Sequence, residues 1–502
     1  MTPAPTAYAR QVEAQIAQYA GAEDIHAAAP AAHWLNHRFL APRLRAVFRT
    51  DSIAGIYATH LAQAVQRCGI AEVVSLGSGD GALEREIVQW ARDHALSRFC
   101  ITCLELSPHL VERTRAAAHA EGLSPFIHAV AADLNQPLPL TQPVAAFMAH
   151  HSLHHLVELE QLFDQAAHWL HPEGAFVAMD MIGRNGHMRW PETLAVIRRI
   201  WPHLPDRLKW DRMFWRLDRW YENWDCSIEG FEGIRAQDIL PALLRGPFRF
   251  SHFVATGGLS DVFYDRRFGG NFQLDNALDT AFLEQLQALE DRLTATGQIK
   301  PVCLYAVLRS ARSTTAPRAP VCCHDLTPER ALRPVAGAAA GPPPIAPDSG
   351  FRSPYPAAVP PPATPVARGT PVSFARGGGG QTLTRWGWSE PEDALTWSLG
   401  IASALEFTVV DSVQVLDLRF VAYQPPDGEN GSLNFMLNGM EQERIELAGL
   451  AADGHRLRLR QPLAAGARAV LEFGLSRPRR PDLDGGGDKR PLGIALIAMT
   501  AA

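Results

Sequence analysis

Fifteen of the chain's 38 prolines fall between Pro317 and Pro371. The stretch AAAGPPPIAPDSGFRSPYPAAVPPPATPVARGTP has no hydrophobic period, and the glycines Gly377 to Gly380 follow it. Such Pro/Ala-rich composition gives an extended, partly stiff spacer. A structureless loop of that length is improbable inside one compact domain. Two folded units are therefore expected, 1–312 and 381–502, joined by a disordered Pro/Ala/Gly-rich linker over 313–380. The 502 residues exceed one ordinary domain, and 47 % apolar residues supply two cores.

The net charge of −6 leaves no basic footprint for nucleic acid. No run approaches the roughly 18 apolar residues of a membrane span. The opening MTPAPTAYARQVEAQ lacks the charged and apolar regions of a secretion signal. Seven scattered cysteines argue for a reducing compartment, so a cytoplasmic location is expected. Cys100 and Cys103 lie in the strand-like RFCITCLEL, where residues three apart face opposite sides. They read as core, with no redox or zinc role.

The first unit alternates strand and helix signals. AEVVSL (71–76), FCITCLEL (99–106), FIHAVAAD (126–133), VAAFMAH (144–150) and AFVAMDM (175–181) read as strands. Helical patterns lie between them at 81–96 and 156–170, and Ser107-Pro108 marks another helix start. This alternation implies a doubly wound parallel α/β sheet. The last 120 or so residues carry short, alternating, turn-bounded segments instead, with a hairpin signal at Asn438-Gly439. They imply an all-β sandwich domain.

Chemistry concentrates after the first strand. In VVSLGSGDG, Gly77, Gly79 and Gly81 let the backbone approach a ligand, and a helix opens beside them. Glu105 ends the second strand, where a carboxylate can accept two ribose hydroxyls. That suits an adenosyl sulfonium or a dinucleotide, because Gly77, Gly79 and Ala82 also satisfy GxGxxG/A.

Further motifs separate the two. VVSLGSGDG, LELS, VAADL and the block MAHHSLHHLVELEQLFDQAAHWLHPEGAFVAMDM resemble class I S-adenosylmethionine (SAM)-dependent methyltransferases. The resemblance covers roughly residues 30–310. It implies a Rossmann-like sheet of seven strands, with FRFSHFVAT (248–256) and KPVCLYAVL (300–308) as its terminal antiparallel pair. It implies SAM as cofactor, held by Ser75, Gly77, Ser78, Gly79, Asp80, Gly81, Glu105, Leu106, Asp133, Leu134 and His150. Ser75 stands where the family usually carries an acid. The alternative is a non-catalytic SAM- or glycan-binding protein with a degenerate methyltransferase domain.

Methyl transfer to a hydroxyl needs a base, and histidine suits neutral pH. His150, His151, His154 and His155 cluster where the fourth strand ends; His151 and His154 are the candidate bases. No carboxylate or cysteine stands at metal-ligand spacing, so no metal is expected. Asp180, Arg184, Asn185, His187 and Arg189 crowd the turn after the fifth strand and are candidate acceptor-binding groups. A helical lid insertion is expected over about 185–245. In it Met213, Phe214, Leu217, Trp220, Tyr221 and Trp224 recur at helical spacing, and Trp190, Trp201, Trp210 and Trp215 enrich the segment. WDCSIEGFEGIRAQDI adds Asp225, Glu229, Glu232 and Asp238.

The C-terminal module resembles β-sandwiches appended to bacterial glycosyltransferases, which implies carbohydrate binding or scaffolding, with a glycan or protein partner. Trp386, Trp388 and Trp397 are candidates for stacking on sugars. Asp482, Asp484 and Asp488 fall short of a calcium loop. The acceptor implied is a small molecule or glycan-linked intermediate.

Overall fold

A strand buried on both faces reads as a continuous apolar run. VAAFMAH does so and forms the strand β4 (Val144–His150), in which only His150 is not fully buried. Around it the computed structural model builds one eight-stranded sheet. The structure describes residues 28–332, 353–355 and 363–502, with breaks at 214–215, 219, 401, 427, 429–430, 448–453, 477–478, 480, 482–485, 487, 489 and 491, and also residues 8, 12, 15 and 16. Phe214, Trp215, Asp482, Asp484 and the middle of the expected linker lie outside them.

The sheet contains β1 (Glu72–Leu76), β2 (Cys100–Glu105), β3 (Ile127–Ala131), β4 and β5 (Leu170–Met181) as parallel strands in the order β3-β2-β1-β4-β5. Next to β5 lies the antiparallel β9 (Cys303–Ser310), and beside it β8 (Phe248–Thr256). The two terminal strands thus pair as expected. An eighth strand, β10 (Val321–Cys322), adds to β8, so the sheet exceeds the seven strands expected.

Helices cover the sheet, among them Ile53–Cys68, which the sequence reading did not name. Ile53–Cys68 is capped by Ser52, whose hydroxyl accepts from the Gly55 N–H at 3.0 Å, and stops at Gly69 with φ 68°. Pro108–Ala120 starts at Pro108 as expected, but Ser107 makes no side-chain cap. Cys103 is buried and Cys100 half-buried on β2, consistent with core.

The described chain divides into two compact units. The first comprises Met1–Val196, Asp225–Asp265 and Gln273–Arg352; the second comprises Ile197–Trp224, Arg266–Phe272 and Ser353–Ala502. The expected lid is therefore split, its middle belonging to the C-terminal unit. Nor is that middle a helix: β6 (Trp210–Asp211) and β7 (Arg216–Leu217) form a small hairpin, and Met213 is exposed. A spacing of three to four also suits residues that alternate around a hairpin and a loop.

The expected linker is folded at both ends. Its start supplies β10 and the short helix Pro328–Ala331. Its end supplies β11 (Thr364–Val366) and β12 (Pro371–Ser373), paired to strands of the C-terminal unit.

Among its described residues that unit holds two larger sheets besides the β6–β7 hairpin. One joins β11, β13 (Thr384–Trp386), β15 (Ala402–Val409), β17 (Ser432–Leu437), β18 (Met440–Glu446) and β20 (Arg468–Leu475). The other joins β12, β14 (Thr396–Leu399), β16 (Val413–Ala422), β19 (His455–Leu463) and β21 (Leu492–Ala501). Phe407, Phe435 and Phe473 of the first and Leu416, Phe420 and Leu496 of the second enter one apolar cluster. Asn438 and Gly439 take φ 49° and 81° between β17 and β18, the conformation their hairpin turn requires. Trp388 is buried in this core, its Nε1 donating to the Ala404 carbonyl at 2.8 Å. Trp386 is buried and stacked on Trp220. Neither ring offers a free face to a sugar; Trp397 is half-buried.

Within the same unit Arg216 is fully buried. Its Nε lies 2.6 Å from Asp218 Oδ1, it pairs with Glu222, and its Nη1 donates to the Leu399 carbonyl at 2.9 Å. Arg267 joins the network through Asp211 and Asp218 at 2.6 and 2.9 Å.

Candidate active site

In an open parallel sheet, ligands bind beyond the carboxyl ends of the strands, where the strand order reverses. Here that point lies between β1 and β4. The loop after β1 turns through Gly77, Gly79 and Gly81 at φ 74°, 57° and 70°. A Cβ on Gly77 would stand 2.6 Å from Ser152 Cβ, and one on Gly81 would stand 2.5 Å from Thr114 Cγ2. Only glycine satisfies both the conformation and the space.

Glu105 ties the loop to the end of β2. Its Oε2 accepts from the Gly79 N–H and its Oε1 from the Ser107 N–H, both at 2.9 Å, while burial raises its pKa. Leu106 is half-buried. Asp80 faces the neighbouring helices, accepting from the Ala82 N–H at 3.2 Å and pairing with Arg113 at 3.3 Å. Asp133 accepts from Asn135 N–H and from the Tyr8 hydroxyl at 2.9 and 2.7 Å, and Leu134 is buried. Tyr8, raised to about 12 by burial and by Asp133, gave no signal in sequence.

Ser75 is buried, and its hydroxyl donates to Glu84 Oε1 at 2.6 Å. Glu84 comes from the first turn of the helix Ala82–Asp93. The position that lacks the family's acid thus receives a carboxyl from nine residues downstream. Burial pushes Glu84 up to about 7, against the pull of the Ser75 bond. Sequence reasoning missed it; its only trace is an acid in the first turn after the glycines.

The turn after β4 forms the other wall. Ser152 Oγ donates to the Leu76 carbonyl at 2.5 Å, bringing the two loops together. His151 takes φ 50°, the left-handed region that costs a residue with a Cβ roughly 1–2 kcal/mol. Its N–H donates to the Met179 carbonyl at 2.8 Å. The residue is exposed, and desolvation by the surrounding protein lowers its pKa. Tyr57 donates to the Ala149 carbonyl at 2.6 Å and lies 3.3 Å from half-buried His150 Nδ1.

Asp180, from β5, organises this turn. It accepts from the Ser152, Leu153 and Met181 N–H groups at 3.0, 2.8 and 2.7 Å and meets His154 Nδ1 at 2.5 Å. Expected as an acceptor-binding residue, it is 1 % exposed and its bonds are internal. His154 is likewise buried, its Nε2 3.5 Å from Glu232 Oε1. Burial opposes charge on His154, but the Asp180 and Glu232 carboxylates outweigh it and raise the imidazole to about 10. Burial opposes charge on Asp180 too; the His154 cation prevails and holds it at about 2.

The remaining acceptor candidates disperse. Arg189 is buried and paired with Asp261. Asn185 accepts from the Gln237 N–H at 3.1 Å, and Arg184 is half-buried beside it. His187 alone joins the histidines: its Nε2 lies 2.7 Å from Glu232 Oε1. Gly186, at φ 65°, lets this turn approach 225–233, since a Cβ there would overlap Asp225. Glu232 is held well below the usual carboxylate range; burial opposes this, and bonds from His154 and His187 outweigh it. Of the four acids in 225–238, sequence gave no reason to prefer it.

Residues 74–178 match the family described as "Methyltransferase domain". No curated protein matches the chain. Among solved structures, similarity extends to the [4+2]-cyclase SpnF, at 15 % identity over 50 % of this chain and 81 % of that one, TM-score 0.29. It extends to a geranyl diphosphate methyltransferase solved with SAM, at 13 % identity over 51 % and 86 %, TM-score 0.29. It extends also to the mitomycin 7-O-methyltransferase MmcR, at 13 % identity over 61 % and 69 %, TM-score 0.27. At such scores none of these likenesses decides function. The methyltransferase-domain match supports a SAM-dependent methyltransferase. Among the described residues no helix is long and apolar enough to cross a membrane.

Proposed function

We propose that the chain transfers a methyl group from SAM to an oxygen of a small-molecule or glycan-linked acceptor. The observation that carries this is the meeting of two walls at the sheet's switch point: a glycine loop tied to Glu105, and a turn that presents His151. The glycine cradle, which a Cβ would fill, and the Glu105 carboxyl fit an adenosyl ligand. Gly77, Gly79, Gly81 and Glu105 would hold it, with Asp133 and Leu134 at its far edge. The cofactor supplies an electrophilic methyl on a sulfonium; the protein aligns the acceptor, excludes water and moves one proton.

Of the two candidate bases, His151 is the one open to an acceptor. Its lowered pKa leaves it unprotonated at neutral pH and able to take a hydroxyl proton. Both ring nitrogens of His154 face carboxylates, so His154 positions the turn. The C-terminal unit, read as a sandwich, has a scaffolding role in this proposal, because Trp386 and Trp388 are enclosed.

Calorimetry on the full chain should detect SAM and S-adenosylhomocysteine binding. Once an acceptor is found, His151→Ala should lose about 10²–10⁴-fold in turnover at saturating SAM. Absence of any cofactor heat would overturn the reading, and unchanged turnover in His151→Ala would remove its base.

A further inference from the structure

Sequence spacing offers no carboxylate to the histidine turn. Folding brings one there from far along the chain. Glu232 Oε1 lies 3.5 Å from His154 Nε2, and Glu232 Oε2 lies 3.8 Å from His155 Nδ1. One ligand atom from each of the three residues falls within 4.8 Å of the others. Ligands about 2.0–2.2 Å from a tetrahedral ion stand about 3.3–3.6 Å apart, so small side-chain adjustments close the set. His155 Nδ1 is buried and has no hydrogen-bond partner, an expensive condition for a polar atom.

Neighbouring side chains support both ends of this set. Asp180 fixes His154 through Nδ1, leaving Nε2 turned towards Glu232, the outer-shell arrangement that orients a ligating imidazole. His187 Nε2 does the same for the Glu232 carboxylate. Among the described residues the other group of this kind, His151–His154–Asp180, is weaker because Asp180 already accepts from three backbone N–H groups.

We propose that His154, His155 and Glu232 form a binding site for one divalent transition-metal ion, zinc or a metal of similar preference, with Asp180 and His187 as outer-shell supports. Two imidazoles and one carboxylate leave a coordination position open for water or an oxygen ligand. The site uses no part of the glycine loop and stands or falls apart from the methyl-transfer reading.

The test uses the full chain, stripped with a chelator and titrated with Co²⁺ and then Zn²⁺ without SAM. One Co²⁺ per chain should bind, with visible ligand-field bands and no thiolate charge-transfer band, and Zn²⁺ should displace it. His155→Ala and Glu232→Gln should each weaken binding by at least the 10–100-fold typical of an outer-shell loss, and Asp180→Asn by about 10–100-fold. Circular dichroism checks that each variant folds. If none does, X-ray absorption on the zinc-loaded wild type still reads the ligands, two imidazoles and oxygen being expected. No stoichiometric binding, sulfur ligation, or unchanged affinity in folded His155→Ala and Glu232→Gln would overturn the site. SAM calorimetry on the same metal-free protein separates this failure from failure of the methyltransferase reading.

Discussion

The two walls of the candidate site are built in opposite ways. The wall after β1 and β2 comes from residues 75 to 107, and its groups are tied chiefly to backbone: Glu105 to two N–H groups, Gly77 to the Leu104 carbonyl at 2.8 Å. The wall after β4 and β5 draws on residues 150–155, 180, 187 and 232, with His154 held between the Asp180 and Glu232 carboxylates and His187 hydrogen-bonded to Glu232. A wall of backbone bonds is rigid and tolerates no added atom. A wall of buried charge depends on every partner being present.

The comparison breaks first at Asp180. In the metal-free protein Asp180→Ala leaves a buried imidazolium and three N–H groups without their acceptor and should cost about 3–5 kcal/mol in urea denaturation. Its pH dependence follows from the pair. His154 sits at about 10 against 6.5 when free, so its share is complete below pH 6.5 and fades as pH rises to 10. Asp180 sits at about 2 against 3.8, so its share is complete above 3.8 and fades as pH falls to 2. The difference between wild type and variant should be flat from about pH 4 to 6.5 and shrink on both sides.

Next comes Glu84, the charged group under the backbone-tied wall. Raised from 4.5 to about 7, it favours the fold fully below pH 4.5, and that share is lost as pH rises through 7. Glu84→Gln should therefore be more stable than wild type above pH 7, by up to about 3 kcal/mol, and gain nothing at pH 4. Thermal melts at the two pH values check this. A smaller effect is expected for Gly77→Ala. Its left-handed strain and its clash with Ser152 should cost about 1–3 kcal/mol and abolish cofactor heat in calorimetry.

The smallest stability effect has the opposite sign. His151→Gly relieves a left-handed φ and should gain about 1 kcal/mol while methyl transfer falls. A stability loss there would show that the side chain supports the wall instead of serving chemistry.

Legibility divides along the same line. The strands β1 to β5 and the glycine loop stood in the sequence because their determinants, apolar runs and glycines, are local. Glu105 was legible for the same reason. Glu232 was visible only as one of four nearby acids, since nothing within its own segment says which one faces a histidine turn 77 residues earlier. The segment 213–224 read as a helix because periodicity cannot tell a helix from a hairpin and loop whose partners lie elsewhere. The linker's ends read as disordered because strands of three residues such as Thr364–Val366 are too short to show alternation.

Arg216 sets a problem of timing. Its bond to the Leu399 carbonyl spans 183 residues, and the hairpin that carries it belongs to a unit completed only by the last strand. At about 5–20 residues per second, the ribosome delivers that partner roughly 10–40 s after the arginine. Over that interval Arg216 has Asp218, Glu222 and the Arg267 network at hand but lacks its Leu399 acceptor. A chain cut after residue 352 carries the buried arginine but not the carbonyl that its Nη1 donates to.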